Sequence, residues 1–503
     1  MLKKRRRIEY RLRDRDWEPQ ERPMLAASNI EYECSDRSRG LCSGGIGAMH
    51  DLARKIGLVE AIDRHLRVLK VHLPYHESDH VLNIAYNALC GGTCLEDIEL
   101  RRNDEVFLDA LGAQRIPDPT TAGDFCRRFE QEHIESLQEA YNEVRLCVWK
   151  LQPESFFEEA VIDVDGTIVA TTGECKEGAD FAYDGTWGYQ VQLISLANTG
   201  EPLFLICRGG NRPSEEGVAE YLDKAIALCR RAGFRKITLR GDTAFSQTRY
   251  LDGWHQAGIG FVFGYDARAN LQETAEDLPE SRWSRLRRAE KYTVKTKPRQ
   301  RPENVKERVV VEREYKNIKL KSERVAEFEY RPTLCEENYW MVVLEKNLSV
   351  EKGEAVLFAD IKRFFYITNR HDLSSSEVVF EAHQRCNQEN LIEQLKNGVR
   401  ALKTPVGDLL SNWAYMVMAS LAWSLKAWFA LILPETGRWK TKYQEEKRKV
   451  LRMDFSTFLN FFMLIPAQVI KTGRRIVFRL LSWNPCQPIF VRALERLESP
   501  LLC

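Results

Sequence analysis

Two acids stand two residues apart in Ala160-Val161-Ile162-Asp163-Val164-Asp165, a short apolar run of the kind that forms a strand. Side chains alternate across a strand, so Asp163 and Asp165 point to one face. A buried carboxylate on a sheet is costly unless it is paired or binds metal. The same strand also reads as one that ends in solvent, with both acids merely exposed. Asp242 follows Lys236-Ile237-Thr238-Leu239-Arg240, a second strand that runs through Gly241 towards a helix. Ligands collect at the carboxyl ends of strands in open α/β sheets. If the two strands are neighbours, Asp165 and Asp242 converge on one crevice, and hard carboxylate oxygens suit Mg²⁺ or Mn²⁺. Further along, Arg385, Glu389, Glu393 and Lys396 are spaced four, four and three apart and share one helix face. That face reads either as a solvated, salt-bridged surface or as a carboxylate completing a metal site beside phosphate-binding cations. Periodicity does not separate the two.

The elements that must position these groups change character along the chain. Residues 1–22 form a basic flexible arm, either a solvated tail or a phosphate-contacting segment. Apolar residues recur at helical spacing from Gly45 to Leu151. There, Pro117-Asp118-Pro119-Thr120-Thr121 turns and caps a helix from Ala122 that carries Arg127 and Arg128. Such a unit either reads DNA as a helix-turn-helix or is one more packed helix. From Glu158 strands take over: Tyr189–Leu196 alternates, Leu203–Cys207 follows, and helices then alternate with the strands at 236–240 and 260–265. This pattern predicts a mixed α/β sheet covered by helices. Residues 268–362 are basic and then alternate at Arg308–Arg313 and Tyr339–Leu344, a β-rich insertion. Phe365–Thr368 returns to the main sheet, a long helix runs from Ser375 to Val399, and the remainder is helical. The division is 1–22 arm, 23–157 helical DNA-binding domain, 158–267 first part of the core, 268–362 insertion, 363–402 core with the Glu389 helix, and 403–503 helical C-terminal domain.

Composition restrains the functional classes. Hydrophobic residues make up 44% and charged residues 29%, as in a soluble globular protein, and the net charge of +1 gives no argument for a polyanionic partner. The 13 cysteines include no CxxC pair and are expected to be reduced and mostly buried. His72, His76 and His80 imitate a metal site, but Pro74 breaks the helix their spacing needs, so they read as packing or surface histidines. Trp413–Leu433 approaches the length of a membrane span, yet Lys426 lies inside it and its tryptophans are dispersed, so a buried helix and no membrane contact are expected. The basic opening has no apolar run behind it, which predicts no secretory signal.

Asp-Gly-Thr at Asp165, Leu-Arg-Gly-Asp-Thr-Ala-Phe around Asp242, and Arg385-Cys-Asn-Gln-Glu-Asn-Leu-Ile-Glu-Gln-Leu-Lys396 together resemble the DDE transposases of bacterial insertion sequences. The similarity is to the insertion-sequence-4 superfamily with its Tyr-Arg-Glu-Lys signature, and within it to the insertion-sequence-1380 family. The resemblance spans roughly 118–398. It implies an RNase H-like core interrupted by a β-rich insertion, with two Mg²⁺ or Mn²⁺ ions held by Asp165, Asp242 and Glu389. It prefers Asp165 to Asp163 because the acid-x-Thr pattern falls there, and Glu389 to Glu393 by spacing. It implies that Arg385 and Lys396 hold DNA phosphates, and that an insertion-domain tryptophan, Trp340 or Trp283, stacks on a flipped base. Against this, Trp340 also reads as a core residue. The signature tyrosine falls on Ala382, a departure from the pattern, with Tyr366 and His383 near but out of register. The implied activity is cleavage at transposon ends and strand transfer to target DNA, by a homodimer on double-stranded DNA in the bacterial cytoplasm. An RNase H-like nuclease without strand transfer and a non-catalytic DNA-binding descendant are the alternatives.

Overall fold

In the computed structural model, which describes residues 2–11, 32, 39–72, 74–287, 322–347, 350–351, 354–355, 361–473 and 475–501, the first ten described residues of the expected flexible arm form helix α1 (Leu2–Arg11). The strand β1 (Gly40–Leu41) leads into α2 (Ile46–Lys55), α3 (Leu58–His65), α4 (Glu77–Leu89), α5 (Ile98–Arg102), α6 (Glu105–Leu111), α7 (Pro119–Cys126) and α8 (Gln131–Lys150). Local chemistry starts several of these. Asp104 and Asp118 accept backbone N–H bonds at their helix N-termini, and Pro119 opens α7 where its missing N–H costs nothing. The Arg128 N–H bonds back three residues to Phe125, which closes α7. Arg127 therefore stands at the C-cap and Arg128 in the turn before α8, not on the helix itself.

A small separate sheet pairs β11 (Val350–Glu351) with β12 (Glu354–Ala355), and the principal sheet is built from β2 (Glu159–Ala170), β3 (Asp180–Phe181), β4 (Trp187–Leu196), β5 (Glu201–Gly209), β6 (Lys236–Gly241), β7 (Gly260–Tyr265), β8 (Ser284–Arg285), β9 (Ser322–Tyr330), β10 (Tyr339–Asn347) and β13 (Ile361–Thr368), with α9 (Val218–Ala232), α10 (Thr248–Gln256) and α11 (Ala269–Glu276) between its strands. Its order is β3-β4-β2-β6-β7-β13-β10-β9-β8, with β5 on β4. β2, β6 and β7 run parallel, joined by crossovers that contain α9 and α10, while β4 and β5 form an antiparallel meander. β13 pairs antiparallel with β7 and carries β10 and β9 with it. The main strands described between 268 and 362 thus extend the sheet; the expected strand at Arg308–Arg313 lies outside the described residues.

The expected single helix from Ser375 to Val399 is broken. It consists of α12 (Ser375–Gln384), α13 (Cys386–Glu393) and a π-helical turn over Gln394–Gly398, and the ladder is interrupted at Arg385. Next comes α14 (Leu409–Leu431), long and apolar enough to cross a membrane, but with its entire apolar window buried inside the protein. The Nε1 groups of Trp413, Trp423 and Trp428 donate to Leu205 O, Gly200 O and Glu201 Oε1 at 2.6, 2.7 and 2.8 Å, fixing the helix against the β4–β5 edge. The Lys426 ammonium is spent on Leu451 O at 2.9 Å and lies over the Trp423 ring. The last part, α15 (Lys440–Leu451), α16 (Phe455–Phe458), β14 (Ala467–Lys471), β15 (Ile476–Leu480) and α17 (Gln487–Glu498), is not wholly helical as expected. Its β-branched and aromatic residues Val469, Ile470, Val477 and Phe478 suit strands, and β14 pairs with both β15 and β1.

Ten cysteines among the described residues are free thiols, while Cys147 is disulfide-bonded, contrary to the expectation that all are reduced. His80 packs face to face on Phe125 at 4.2 Å, and its buried Nδ1 has no hydrogen-bond partner. Burial pushes its pKa down to about 4, with the Arg128 charge adding and those of Asp79 and Glu77 opposing. Unfolding therefore takes up a proton between pH about 6.5 and about 4, so the stabilisation is present above that window and is lost as pH falls through it. The loss is on the order of 3 kcal/mol. Urea midpoints of the wild type and of His80→Phe at pH 7 and pH 5 should show a steeper acid loss for the wild type; parallel losses would rule His80 out as the cause.

Candidate active site

Register sets the acids side by side. Asp163 pairs with Arg240 across the parallel β2–β6 ladder, so Asp242, two residues past Arg240, comes level with Asp165 on the neighbouring strand. Alternation puts all four side chains on one face. Beyond β6, Asp242 keeps an extended backbone and caps a short 3₁₀ turn, its Oδ1 accepting from Ala244 N at 2.9 Å. Gly264 makes room for that turn. A Cβ there would come within 2.9 Å of Thr243 N and 3.2 Å of the Asp242 carbonyl carbon, so a side chain would push the carboxylate from its place.

The two neighbouring acids on β2 have different partners. Asp163 is buried and receives both Nε and Nη2 of Arg240, at 2.7 and 2.9 Å, while Arg240 Nη1 reaches Glu381 at 2.9 Å. It is a structural counter-ion. Asp165, two residues further along β2, has Oδ1 on the Gly166 N–H and Oδ2 on Arg385 Nη1 at 2.8 Å. Burial raises its pKa to about 6; Arg385 opposes the shift, and the charges of Asp242 and then Glu389 add to it. Asp165 is thus within electrostatic reach of both other acids.

Glu389 arrives on α13, whose position is fixed by Gln388. The buried Gln388 amide donates to Leu193 O at 2.9 Å, and its oxygen accepts from Ser195 Oγ, tying the helix to β4. The Glu389 side chain is 58% exposed and meets the other nitrogen of Arg385 at 3.4 Å. Arg385, at the break between α12 and α13, therefore bridges Asp165 and Glu389. Lys396 points its Nζ at the carbonyl of Ile168 on β2, 2.9 Å away, and burial lowers its pKa. Glu393 accepts from Asn397 and its charge acts on Lys396. Among the described residues no group of three His, Cys, Asp or Glu side chains stands close enough to hold a metal ion as arranged.

The other expected residues lie elsewhere. Trp340 is on β10, four strands from β2 and hence about 19 Å across the sheet, edge-on to His371. Trp283 lies under the Arg324 guanidinium. Arg127 and Arg128 are exposed at the α7–α8 turn, with Arg127 paired to Asp124. Ala382 packs in the small cluster between α12 and the sheet, which Tyr366 also joins. Gln388, Arg240 and Gly264 escaped the sequence reading, since each acts through a partner distant in sequence.

Asp165 within β2 and Asp242 just past β6 thus stand on neighbouring strands, and Arg385 joins Asp165 to Glu389 on α13. The chain belongs to the family described as transposase DDE domain group 1, whose model matches residues 38–500. No curated protein matches it. A piggyBac transposase synaptic complex with hairpin DNA is similar in structure over 84% of this chain and 81% of that chain, with 11% identity and a TM-score of 0.34.

Proposed function

We propose that this chain is the transposase of a bacterial insertion sequence, of the insertion-sequence-4 superfamily and its 1380 family. It cleaves DNA at the element's ends and transfers the freed 3′ ends to target DNA. The observation that supports the reading is the placement of Asp165 and Asp242 on neighbouring strands, with Arg385 joining Asp165 to Glu389. The donor set fits a hard divalent cation: all three are carboxylates, and a cation, the guanidinium, already lies between two of them. Asp165, Asp242 and Glu389 would hold Mg²⁺ or Mn²⁺, two ions in this reading, with Glu389 turning inward from its exposed position. Bound there, the ions would activate a water for in-line attack and stabilise the leaving oxygen.

The chain's own groups do the rest. Arg385 exchanges its carboxylates for a phosphate oxygen, a charge-assisted bond of the same geometry. Lys396 holds the helix to β2 beside Asp165 and keeps a positive charge close to the nucleic-acid backbone. Arg127 and Arg128 contact the backbone away from the carboxylates, in a homodimer that brings two ends together in the bacterial cytoplasm. Pre-cleaved element ends with free 3′-hydroxyls, incubated with the protein, Mg²⁺ and a plasmid target, should be joined to the plasmid. Cleavage of intact ends without any joining would make the protein a nuclease of the same site, and absence of both would leave a DNA-binding descendant.

A further inference from the structure

Helix α1 lies outside the residues matched by the family model, and its chemistry is lopsided. Its ten residues, LKKRRRIEYR, carry six cations and one acid, Glu9, which Arg5 takes at 2.7 Å. The inner side is defined by contacts. Lys4 donates its ammonium to Leu481 O, the Arg5 guanidinium sits 5.4 Å over the Trp483 ring, and Ile8 is half-buried. These hold the helix against the segment that follows β15. At 100° per residue, Lys3, Arg6, Arg7 and Arg11 fall in one arc of about 140° that begins beside Lys4 and turns away from Ile8 and Arg5. All four are exposed and none has a carboxylate partner among the described residues. Lys3 and Arg7, and Arg7 and Arg11, are like charges at helical neighbour spacing, which works against the helix until something neutralises them. The neighbouring hairpin adds exposed Arg475 and Arg479, the latter two residues before the docking carbonyl of Leu481.

We propose that the outer face of α1, carried on the β14–β15 hairpin, is a binding surface for the phosphate backbone of double-stranded DNA, separate from the carboxylate site. This rests on the reading that the carboxylate site acts on DNA, which selects duplex DNA over an acidic protein as the occupant. Four adjacent cations without acids match a row of phosphates and read no bases, so the contact is independent of sequence. The helix is already anchored by Lys4 and Arg5, so binding does not have to order it from a free coil.

The test is the salt dependence of binding by the full chain to a duplex of arbitrary sequence, without divalent metal. Replacing Lys3, Arg6, Arg7 and Arg11 together by glutamine should lower the slope of log K against log[NaCl] by about three to four, at about 0.9 per phosphate contact. Affinity at low salt should fall at least about tenfold. These side chains make no ion pair or hydrogen bond among the described residues, so the melting temperature should stay unchanged. Lys4→Gln with Arg5→Gln, which detaches the helix, should reduce amide protection of residues 2–11 in the presence of DNA. An unchanged slope in the quadruple variant overturns the proposal, as does a slope change seen with duplex RNA and not with DNA. End cleavage is measured separately. Loss of slope in a protein that never cleaves would sink the transposase reading alone, and intact cleavage with an unchanged slope would sink this surface alone.

Discussion

Asp242→Asn is expected to lower Mg²⁺-dependent cleavage of element ends by about a thousandfold while leaving folding and duplex binding intact. The size follows from the role: ligands that hold a catalytic ion are worth several kcal/mol of transition-state stabilisation, and about 1.4 kcal/mol is tenfold in rate. The selectivity follows from the local structure. Asp242 caps the turn after β6 with one side-chain oxygen on Ala244 N. Asparagine keeps that oxygen and is as good a cap as aspartate, so the turn over Gly264 stays as it is. Cleavage of labelled end DNA, paired with thermal melting and a duplex-binding isotherm, measures all three quantities on one preparation. Cleavage within tenfold of the wild type would remove Asp242 from the ion-binding set. A lowered melting temperature would instead show that the cap accepts asparagine poorly.

How much of this site was legible in the sequence depends on how local its determinants are. Asp242 was legible because strand, glycine turn and following helix are contiguous. Asp163 and Asp165 were found as a pair but not told apart by periodicity, because alternation gives both the same face. What separates them is the Arg240 fork, which comes from another strand. The helix bearing Glu389 was legible by spacing, but not its break at Arg385, which lets one guanidinium reach both Asp165 and Glu389. The mixed sheet was expected; that β9 and β10 would continue it was not. Alternation identifies a strand without naming its neighbour, and β13 is what links them to β7. The hairpin at 467–480 was read as helical because its charges masked a short β-branched pattern. α1 was read as a tail because its anchors, Leu481 and Trp483, lie at the other end of the chain.

The two acids of β2 are expected to fail in opposite ways when each is changed to asparagine. Asp163 and Arg240 are both almost fully buried, at 1% and 2% side-chain exposure. Asp163→Asn leaves the guanidinium buried with Glu381 as its one remaining charged partner, and breaking a buried pair from one side costs about 3–5 kcal/mol. Asp165→Asn releases Arg385, which is 22% exposed and can turn to solvent or to Glu389, so stability should change little. Cleavage should nevertheless vanish in Asp165→Asn if it is the ion-binding member. Urea unfolding of both variants, read beside end cleavage, separates a scaffold acid from a reactive one. A further variant, Asp163→Val with Arg240→Met, removes both buried charges and should recover much of the stability lost in Asp163→Asn, because an apolar pair of similar volume avoids the desolvation of two ions. It frees Glu381, which is 32% exposed and already has access to water. Should Asp163→Asn unfold like the wild type and lose cleavage, the roles of the two acids would be exchanged, and the Arg240 fork would be part of the ion site instead of the frame that holds β2 against β6.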